Sequence, residues 1–351
     1  MFKIKTLYFA ILIILLPTIK VYGQQNLTNA NIRKYNTYIN NAEIAITYSN
    51  YILASSYYDT AFNQVQYPFA KDKYNSAVCD ALLFKYVACK AKLTYLLYNG
   101  MEFKYIEDNI AFQDFLHTKT GRNIKKMPVK IFYNENIRYS YDSILIKDQY
   151  FRELDPQDYM KKYGDTVCKI DASNVLFMNN LIEKYGWPSE KLIGITMNSS
   201  LYEIIIIHQC DGSPCRVYNY TEEIKNAYNK GQIEAQKAAY LIMRSSGIDD
   251  MGEMSIGIIT FVFDSIGNFK YDNIDDYPHK SGFIKLNETT RKNIDSKRFD
   301  FGLESIEDFQ RKVFYNLTDK RFIFSSYSSH SIFPIEDKSS YEIKINKIVS
   351  L

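Results

Sequence analysis

The segment Tyr48–Phe62, YSNYILASSYYDTAF, determines our interpretation of the first half of the chain. Within it, Ala54, Tyr58 and Ala61 recur at spacings of four and three residues, which places them on one face of an α-helix. Small and aromatic side chains alternate on this face. The pattern predicts a helix that packs closely against other helices.

Further helices are predicted on both sides of this segment, from Ala30 to about Gly100. Pro68 separates the segment from a second helix that runs from Phe69 to Leu97 and carries an alanine stripe. The small, aromatic, small series resembles the second helix of a tetratricopeptide repeat, and the resemblance covers about two repeats. An ordinary helical bundle is the alternative, because a solenoid usually needs at least about three repeats.

The next part of the chain alternates between helices and a linker. Phe103–His117 is amphipathic and predicts a third helical piece, whereas the lysine-rich stretch Asn123–Glu135 with its proline reads as a linker. A helix is expected again from Ile137 to Tyr150. The run Ile204–Ile207 is either a buried strand or a helix core, which periodicity alone does not distinguish.

Strands are predicted only near the C-terminus. Ser255–Phe263 and Phe269–Tyr271 flank a turn and read as a β-hairpin. A second pair is expected at Phe322–Tyr327 and Tyr341–Ile348. A small sheet should therefore lie beside the helices.

The composition agrees with a helical fold. The chain has 31 Tyr and 22 Phe but only 14 Gly and 8 Pro, which disfavours a turn-rich all-β protein. We predict a mainly α fold with four segments, in which a mostly helical α+β domain with a small β-hairpin follows a helical-repeat-like layer. The segments are a signal peptide at 1–23, the tetratricopeptide-like region at 24–130, the α+β domain at 131–315 and a C-terminal extension at 316–351.

The N-terminus has the pattern of a secretory signal peptide. Two lysines precede an apolar run from Leu7 to Leu16, and the small-residue site Val21-Tyr22-Gly23 follows. The apolar run is shorter than the roughly 20 residues that span a bilayer. We therefore expect export to the periplasm or the extracellular space, cleavage near Gly23, and no integral membrane segment in the mature chain.

Cleavage would also change the charge. The full chain has 43 basic and 40 acidic residues, and loss of Lys3, Lys5 and Lys20 would leave 40 of each sign. A mature chain with no net charge and no basic patch lacks the electrostatic character of a nucleic-acid-binding protein. No nucleic-acid partner is expected.

The cysteines are too few and too scattered for a disulfide framework. On one continuous helix, Cys79 and Cys89 would lie about 15 Å apart and out of bonding reach. Cys210 and Cys215 flank a turn and are candidates for a local disulfide. Cys168 completes the set of five, so at least one thiol stays unpaired within the monomer.

The second half carries a series of motifs from residue 148 to about residue 309. In order, they are Asp148-Gln149-Tyr150-Phe151-Arg152, Asp171-Ala172-Ser173-Asn174, Gly186-Trp187-Pro188, Gly194, Ile204–Asp211, Gly231-Gln232, Ala239–Arg244, Ile256-Gly257 and Ile294–Leu303. In order and spacing they resemble an uncharacterised bacterial domain family of unknown function. The resemblance implies that Ile204–Ile207 is helical.

Several polar positions depart from the family pattern. The family has Gln-His where this chain has His208-Gln209, and an acidic residue before arginine where this chain has Met243. Its Tyr-Gly-Thr-Gln motif is replaced by apolar residues at Ile256–Ile259. These departures argue against catalysis, even if other members of the family are enzymes.

The chain has four histidines, and His208 alone lies in a cluster of chemically capable residues. A divergent hydrolase with a pocket near His208, Asp211 and Arg244 is one hypothesis, in which Asp211 orients His208 as a general base. The same segment, with Cys210 and Cys215, contains zinc-ligand types, but their spacing matches no closed zinc pattern. We predict no metal and no cofactor.

Structural roles are expected for the remaining positions of the motifs. A buried Arg152 or Arg298 paired with an aspartate such as Asp171 can stabilise the fold, and Asn174 belongs to the same motif as Asp171. Trp187, in a tight Gly-Trp-Pro turn, should bury its indole in the core.

We expect an exported binding or scaffolding protein rather than an enzyme. Repeat-like helices lined with Tyr and Phe commonly hold a peptide or a partner protein, and aromatic side chains supply much of the binding energy. The expected partner is therefore a protein or peptide bound through the N-terminal helices. The hydrolase near His208 is the competing hypothesis.

Overall fold

The computed structural model describes residues 29–126, 131–156, 158–195, 201–252, 258–265, 277–324 and 331–350. The predicted signal peptide therefore lies outside the described residues. None of the helices in these ranges is both long enough and apolar enough to cross a membrane.

Four helices form the N-terminal part, and consecutive helices pack against each other. They are α1 (Asn29–Thr47), α2 (Tyr51–Phe62), α3 (Ala70–Leu82) and α4 (Tyr86–Tyr98). Ala54, Tyr58 and Ala61 of α2 are all fully buried, as their spacing predicts. Asn50 begins α2, because its side chain accepts a hydrogen bond from the main-chain N–H of Leu53.

The single helix predicted from Phe69 to Leu97 is wrong, because the chain turns after Leu82. Phe84 has a φ of +58°, in the left-handed region, and this residue ends α3 before α4 begins at Tyr86. No glycine or proline marks this turn, so the continuous alanine stripe concealed it. Cys79 and Cys89 are both buried and unpaired, but they lie on different helices.

Short helices follow and lead into two long ones. They are α5 (Lys104–Glu107), α6 (Gln113–His117), α7 (Lys119–Arg122), α8 (Glu135–Leu154) and α9 (Tyr159–Tyr185), with 3₁₀ turns at Ile110–Phe112 and Ile124–Lys126. The third helical piece predicted at Phe103–His117 is thus divided into two short α-helices with a 3₁₀ turn between them. The helix predicted at Ile137–Tyr150 is confirmed within α8.

The remaining helices pack around a second core. They are α10 (Glu190–Ile193), α11 (Leu201–His208), α12 (Thr221–Asn229), α13 (Ala235–Ser246), α14 (Glu288–Asp300) and α15 (Ile306–Thr318). The run Ile204–Ile207 is helical, as the family resemblance implies. This second core is formed mainly by α8, α9, α11, α12 and α13.

A four-stranded sheet completes the fold. The strands β1 (Ile258–Phe263), β2 (His279–Ile284), β3 (Ser331–Ile335) and β4 (Ile348–Ser350) occur in the order β3-β1-β2-β4, and α16 (Lys338–Ile345) lies between the last two along the chain. β1 is antiparallel to β2 and parallel to β3, and β4 is antiparallel to β2. The predicted mainly α fold with a small antiparallel pair of strands is confirmed.

The predicted strand partners differ from the observed ones. β1 pairs with β2, whereas the predicted partner Phe269–Tyr271 lies outside the described residues. The second predicted pair is wrong, because most of Tyr341–Ile348 is helical and no strand occurs at residues 322–324. The segment predicted as an extension, 316–351, supplies both β3 and β4 to the sheet, and Phe322 and Phe324 to the N-terminal core.

A buried charge cluster connects the N-terminal helices to α15. The Glu43 carboxylate lies 2.6 Å from the Lys71 ammonium and 2.7 Å from that of Lys312. Lys312 also pairs with Glu304 at 2.7 Å, and Lys71 pairs with Asp72 at 3.1 Å. We call these five residues the Glu43 cluster.

The pKa values of Glu43 and Asp72 shift in opposite directions. Burial alone would raise the pKa of Glu43, but the charges and hydrogen bonds of Lys312 and Lys71 outweigh burial and lower it. At Asp72, burial outweighs Lys71 and raises the pKa to about 6. The Asp72 carboxylate also accepts a hydrogen bond from the Tyr35 hydroxyl.

Candidate functional site

Three helices bring together a polar cluster in the second half. Helix α8 supplies Asp148 and Arg152, which lie one turn apart, and α9 supplies Asp171 and Asn174. His208 is the last residue of α11. We call these five residues the His208 cluster.

Arg152 joins the two aspartates of the cluster. Its Nη2 donates to both oxygens of Asp171, at 2.8 and 2.9 Å, and its Nη1 donates to the main-chain oxygen of Asp148 at 2.7 Å. Asp148 and Asp171 are buried, so this two-point contact compensates part of the cost of removing their charges from water. Arg152 therefore fixes α8 against α9.

Asp148 orients the histidine. One of its oxygens accepts from Asn174 at 2.9 Å, and the other lies 3.1 Å from Nδ1 of His208. The side chain of Gln149 donates to the same carboxylate at 2.5 Å. Nε2 of His208 has no hydrogen-bond partner among the described residues. The histidine is thus held through one ring nitrogen, while the other is left available.

The two aspartates differ in acidity. Burial raises the pKa of Asp148, but hydrogen bonding to His208 and the nearby charges of His208 and Arg152 outweigh it, so the net pKa is lowered. At Asp171, burial outweighs the contacts with Arg152 and raises the pKa. An ionised Asp148 can accept a hydrogen bond only, so Nδ1 of His208 carries the proton between them.

The donor atoms of Asp148, Asp171 and His208 could hold a metal ion, since all lie within 4.8 Å of one another. Two carboxylates and an imidazole suit a first-row transition metal. However, Arg152 already occupies both oxygens of Asp171, and an ion would have to replace the hydrogen bond between His208 and Asp148. The observed contacts fit a proton at this position at least as well as a metal.

The predicted partners of His208 are placed differently. His208 pairs with Asp148 rather than Asp211, because α11 ends at His208 and Asp211 lies beyond the helix end. The Asp211 carboxylate pairs instead with Arg216 at 2.5 Å. The main-chain N–H of Asp211 donates to the main-chain oxygen of Arg244 at 2.8 Å, so these two residues meet through their backbones.

The candidate disulfide between Cys210 and Cys215 is not formed. Cys215 bonds to Cys168 of α9, with their Cα atoms 4.7 Å apart, and Cys210 is free. A disulfide-bonded sulfur is not a thiolate ligand, so the zinc-ligand set around Cys210 and Cys215 is incomplete. Cys168 lies one turn before Asp171, so the disulfide connects α9 to the segment after α11.

Two residues interpreted as structural are buried. Trp187 is 4% exposed and meets Tyr202 edge to face, with ring centroids 5.4 Å apart, and Gly186 before it has a φ of +84°. Arg298 is fully buried, donates to the main-chain oxygen of Glu304 at 2.8 Å and lies over the ring of Phe309.

A cavity of about 310 Å³ lies between the N-terminal helices and the second half. We call it the junction pocket. Its lining comprises the loop between α2 and α3, one face of α4, the start of α10 and the turn after α12, through Val65, Gln66, Tyr67, Pro68, Phe69, Tyr95, Asn99, Ser189, Glu190, Lys191, Ile195, Lys230, Gly231 and Gln232. The volume lies at the lower end of the range for small-ligand pockets.

Glu190 closes one side of this pocket. Phe69 gives α3 no side-chain cap, and Glu190 replaces it by accepting from the main-chain N–H of Ala70 at 2.8 Å. Burial, followed by the negative charge of Glu234, raises the pKa of Glu190 to about 7, and Asp72 adds to this effect. The carboxyl group is therefore close to half ionised at neutral pH.

Sequence reasoning missed this pocket because its residues come from four separate segments. Gly231-Gln232 was noted only as part of the family resemblance, and Pro68 only as a helix boundary. The abundance of Tyr near Pro68 was the available signal. No protein-family model, no curated protein and no solved structure matches the chain.

Proposed function

We propose that the protein is an exported binding protein that holds a peptide or another small organic ligand in the junction pocket. The observation that carries this proposal is the pocket itself, where aromatic side chains from the N-terminal helices face polar side chains from the second half. Aromatic surface combined with placed polar groups is typical of ligand sites, and the polar side chains of this pocket can orient a ligand. The resemblance of the N-terminal helices to tetratricopeptide repeats also supports a binding function.

The disulfide supports export. Disulfides persist in oxidising compartments and are rare in the cytosol, and Cys168 and Cys215 have the Cα separation that a disulfide requires. The signal-peptide pattern at the N-terminus agrees with this location.

The pocket can be tested with one variant and a matched control. The mature chain, residues 24–351, is equilibrated with a peptide extract, washed and eluted, and bound molecules are identified by mass spectrometry. Tyr67→Ala removes a pocket wall, whereas Tyr139→Ala removes a 75% exposed tyrosine of α8 that does not line the pocket. We expect ligands to be recovered with the wild type and Tyr139→Ala and lost with Tyr67→Ala. Equal recovery from all three proteins would contradict the proposal.

A specific observation also favours a second candidate function, acid–base catalysis at the His208 cluster. An ionised aspartate that holds Nδ1 and leaves Nε2 available is the arrangement of a general base. This revises the hydrolase hypothesis, with Asp148 in the role first expected of Asp211. Hydrolysis of p-nitrophenyl acetate provides the test, with His208→Gln compared against His117→Gln, whose ring contacts only a main-chain oxygen. Equal rates for the two variants would exclude His208 from the reaction.

A further inference from the structure

The charged side chains at the junction pocket are not balanced. Lys191 and Lys230 are both exposed at its rim, and neither forms an ion pair in the part of the chain that the structure describes. The ammonium of Lys191 instead lies 4.2 Å from the centre of the Tyr67 ring. Two exposed lysines therefore line the pocket without a carboxylate partner among the described residues.

Glu190 is the acidic residue among those that line the pocket, and it does not neutralise these lysines. Its carboxyl group faces the N-terminus of α3, where it accepts the hydrogen bond from Ala70. Its pKa of about 7 further reduces its average charge at neutral pH. Among the residues that line the pocket, positive charge therefore exceeds negative charge.

The aromatic and apolar residues that line the pocket indicate the chemistry of the uncharged part of the ligand. Tyr67, Phe69 and Tyr95 present aromatic surface, and Val65 and Ile195 extend the apolar area. Such walls favour a ring or a branched apolar group. A cationic ligand is disfavoured, because Lys191 already lies over the Tyr67 ring and Lys230 also lines the pocket.

We propose that the junction pocket binds an organic carboxylate, with the carboxylate between Lys191 and Lys230 and an apolar or aromatic body against Tyr67, Phe69 and Tyr95. This inference rests on the proposed function and specifies its ligand class. A carboxylate attached to an apolar group occurs both in a free small acid and in the C-terminal residue of a peptide. Binding of a C-terminal carboxylate is a recurrent mode of peptide recognition.

The experiment compares an acid with its neutral amide on the full mature chain. N-acetyl-phenylalanine, its amide, and the peptides Ala-Ala-Phe and Ala-Ala-Phe-amide are titrated by calorimetry at low ionic strength. We expect each acid to bind about tenfold more tightly than its amide, because a charged hydrogen bond is lost in the amide. A preference for the peptide acid over the single residue identifies a peptide C-terminus as the source, whereas equal affinity identifies a free small acid.

Matched variants separate this inference from the proposed function. Lys191→Met with Lys230→Met preserves the long apolar stems and should remove the preference for the acid over its amide, a change of about tenfold in the ratio of their affinities. Lys292→Met with Lys338→Met removes the same charge from exposed sites outside the pocket and should change neither. Acids and amides of equal affinity, or no binding of any probe, would overturn the carboxylate inference. The pocket itself would still stand if Tyr67→Ala abolishes ligand recovery.

Discussion

The Glu43 cluster and the His208 cluster are both buried groups of opposite charges, but they differ in how completely their atoms are used. In the Glu43 cluster, each lysine contacts two carboxylates, and Glu43 contacts both lysines. In the His208 cluster, Arg152 and Asn174 fix the aspartates, while Nε2 of His208 remains without a partner among the described residues.

This difference separates a structural role from a chemical one. A network in which each ammonium group contacts two carboxylates contributes specificity and leaves few atoms for a ligand. A cluster that holds a histidine by one nitrogen keeps the other for proton transfer. Substitutions in the first cluster should therefore affect folding strongly, and substitution of His208 should affect it little.

The largest effect is expected for Lys312→Met. This change leaves Glu43 with one cation fewer and Glu304 without its close ammonium partner, in a site where Lys312 is 5% exposed. Removing one partner of a buried ion pair typically costs about 3–5 kcal/mol, and we expect a loss of that size in the free energy of unfolding. Urea denaturation measures it, with Lys292→Met, at an exposed helical pair, as the control. A loss below about 1 kcal/mol would show that the cluster is not essential to the fold.

The second effect tests what holds the His208 cluster together. Cys168→Ser with Cys215→Ser removes the disulfide between α9 and the segment after α11, which closes 47 residues of chain. The loss of this restraint on the unfolded chain should cost about 3 kcal/mol, since disulfides typically contribute 2–4 kcal/mol.

Cys210→Ser is the control, because Cys210 is free. Reductant should destabilise the wild type and this control equally, and leave the double variant unchanged. Stability of the wild type that does not respond to reductant would contradict the assigned disulfide.

The sequence predicts local features of this protein better than its long-range connections. Helix periodicity identifies the helix containing Ala54, Tyr58 and Ala61, and the Asp148 and Asp171 motifs mark residues that do meet. These patterns depend on neighbours within a few turns. By contrast, the partner of His208 lies 60 residues earlier in the chain, and only the packing of α11 against α8 and α9 brings it there.

Other features of the fold were not predicted, because they too depend on contacts or conformations that local sequence patterns do not show. The turn at Phe84 uses a left-handed residue that is neither Gly nor Asn, so the local pattern did not reveal it. The parallel pairing of β3 with β1 joins segments about 70 residues apart, and local alternation cannot show which strands pair. The Glu43 cluster was not anticipated, since Lys312 lies 269 residues from Glu43.

The third effect concerns pH and connects the Glu43 cluster to the junction pocket. The folded protein raises the pKa of Glu190 from 4.5 to about 7, so it holds this proton more tightly than the unfolded chain does. The resulting stabilisation is complete below about pH 4.5 and is lost as the pH rises through 7. Glu190→Gln, which stays neutral, should gain about 2 kcal/mol relative to the wild type across this interval.

The full pKa shift corresponds to about 3 kcal/mol in the free energy of unfolding. We expect about 2 kcal/mol because Glu190 is partly exposed. Stability is measured by urea denaturation at several pH values, with the exposed Glu183→Gln as the control. A constant difference between Glu190→Gln and the wild type from pH 4.5 to 7.5 would show that folding does not perturb this carboxyl group.

The smallest effect is expected for His208→Gln. The imidazole is 19% exposed and makes its hydrogen bond to an aspartate that Asn174 and Gln149 also contact. Asp148 therefore keeps partners, and we expect a change within about 1 kcal/mol in the free energy of unfolding. Thermal and urea unfolding measure this, beside His117→Gln. A loss above about 3 kcal/mol would mean that His208 contributes as much to stability as Lys312 does. The proposed difference between the Glu43 cluster and the His208 cluster would then be wrong. A small loss together with abolished ester hydrolysis would instead mark His208 as a residue held in place for chemistry rather than for folding.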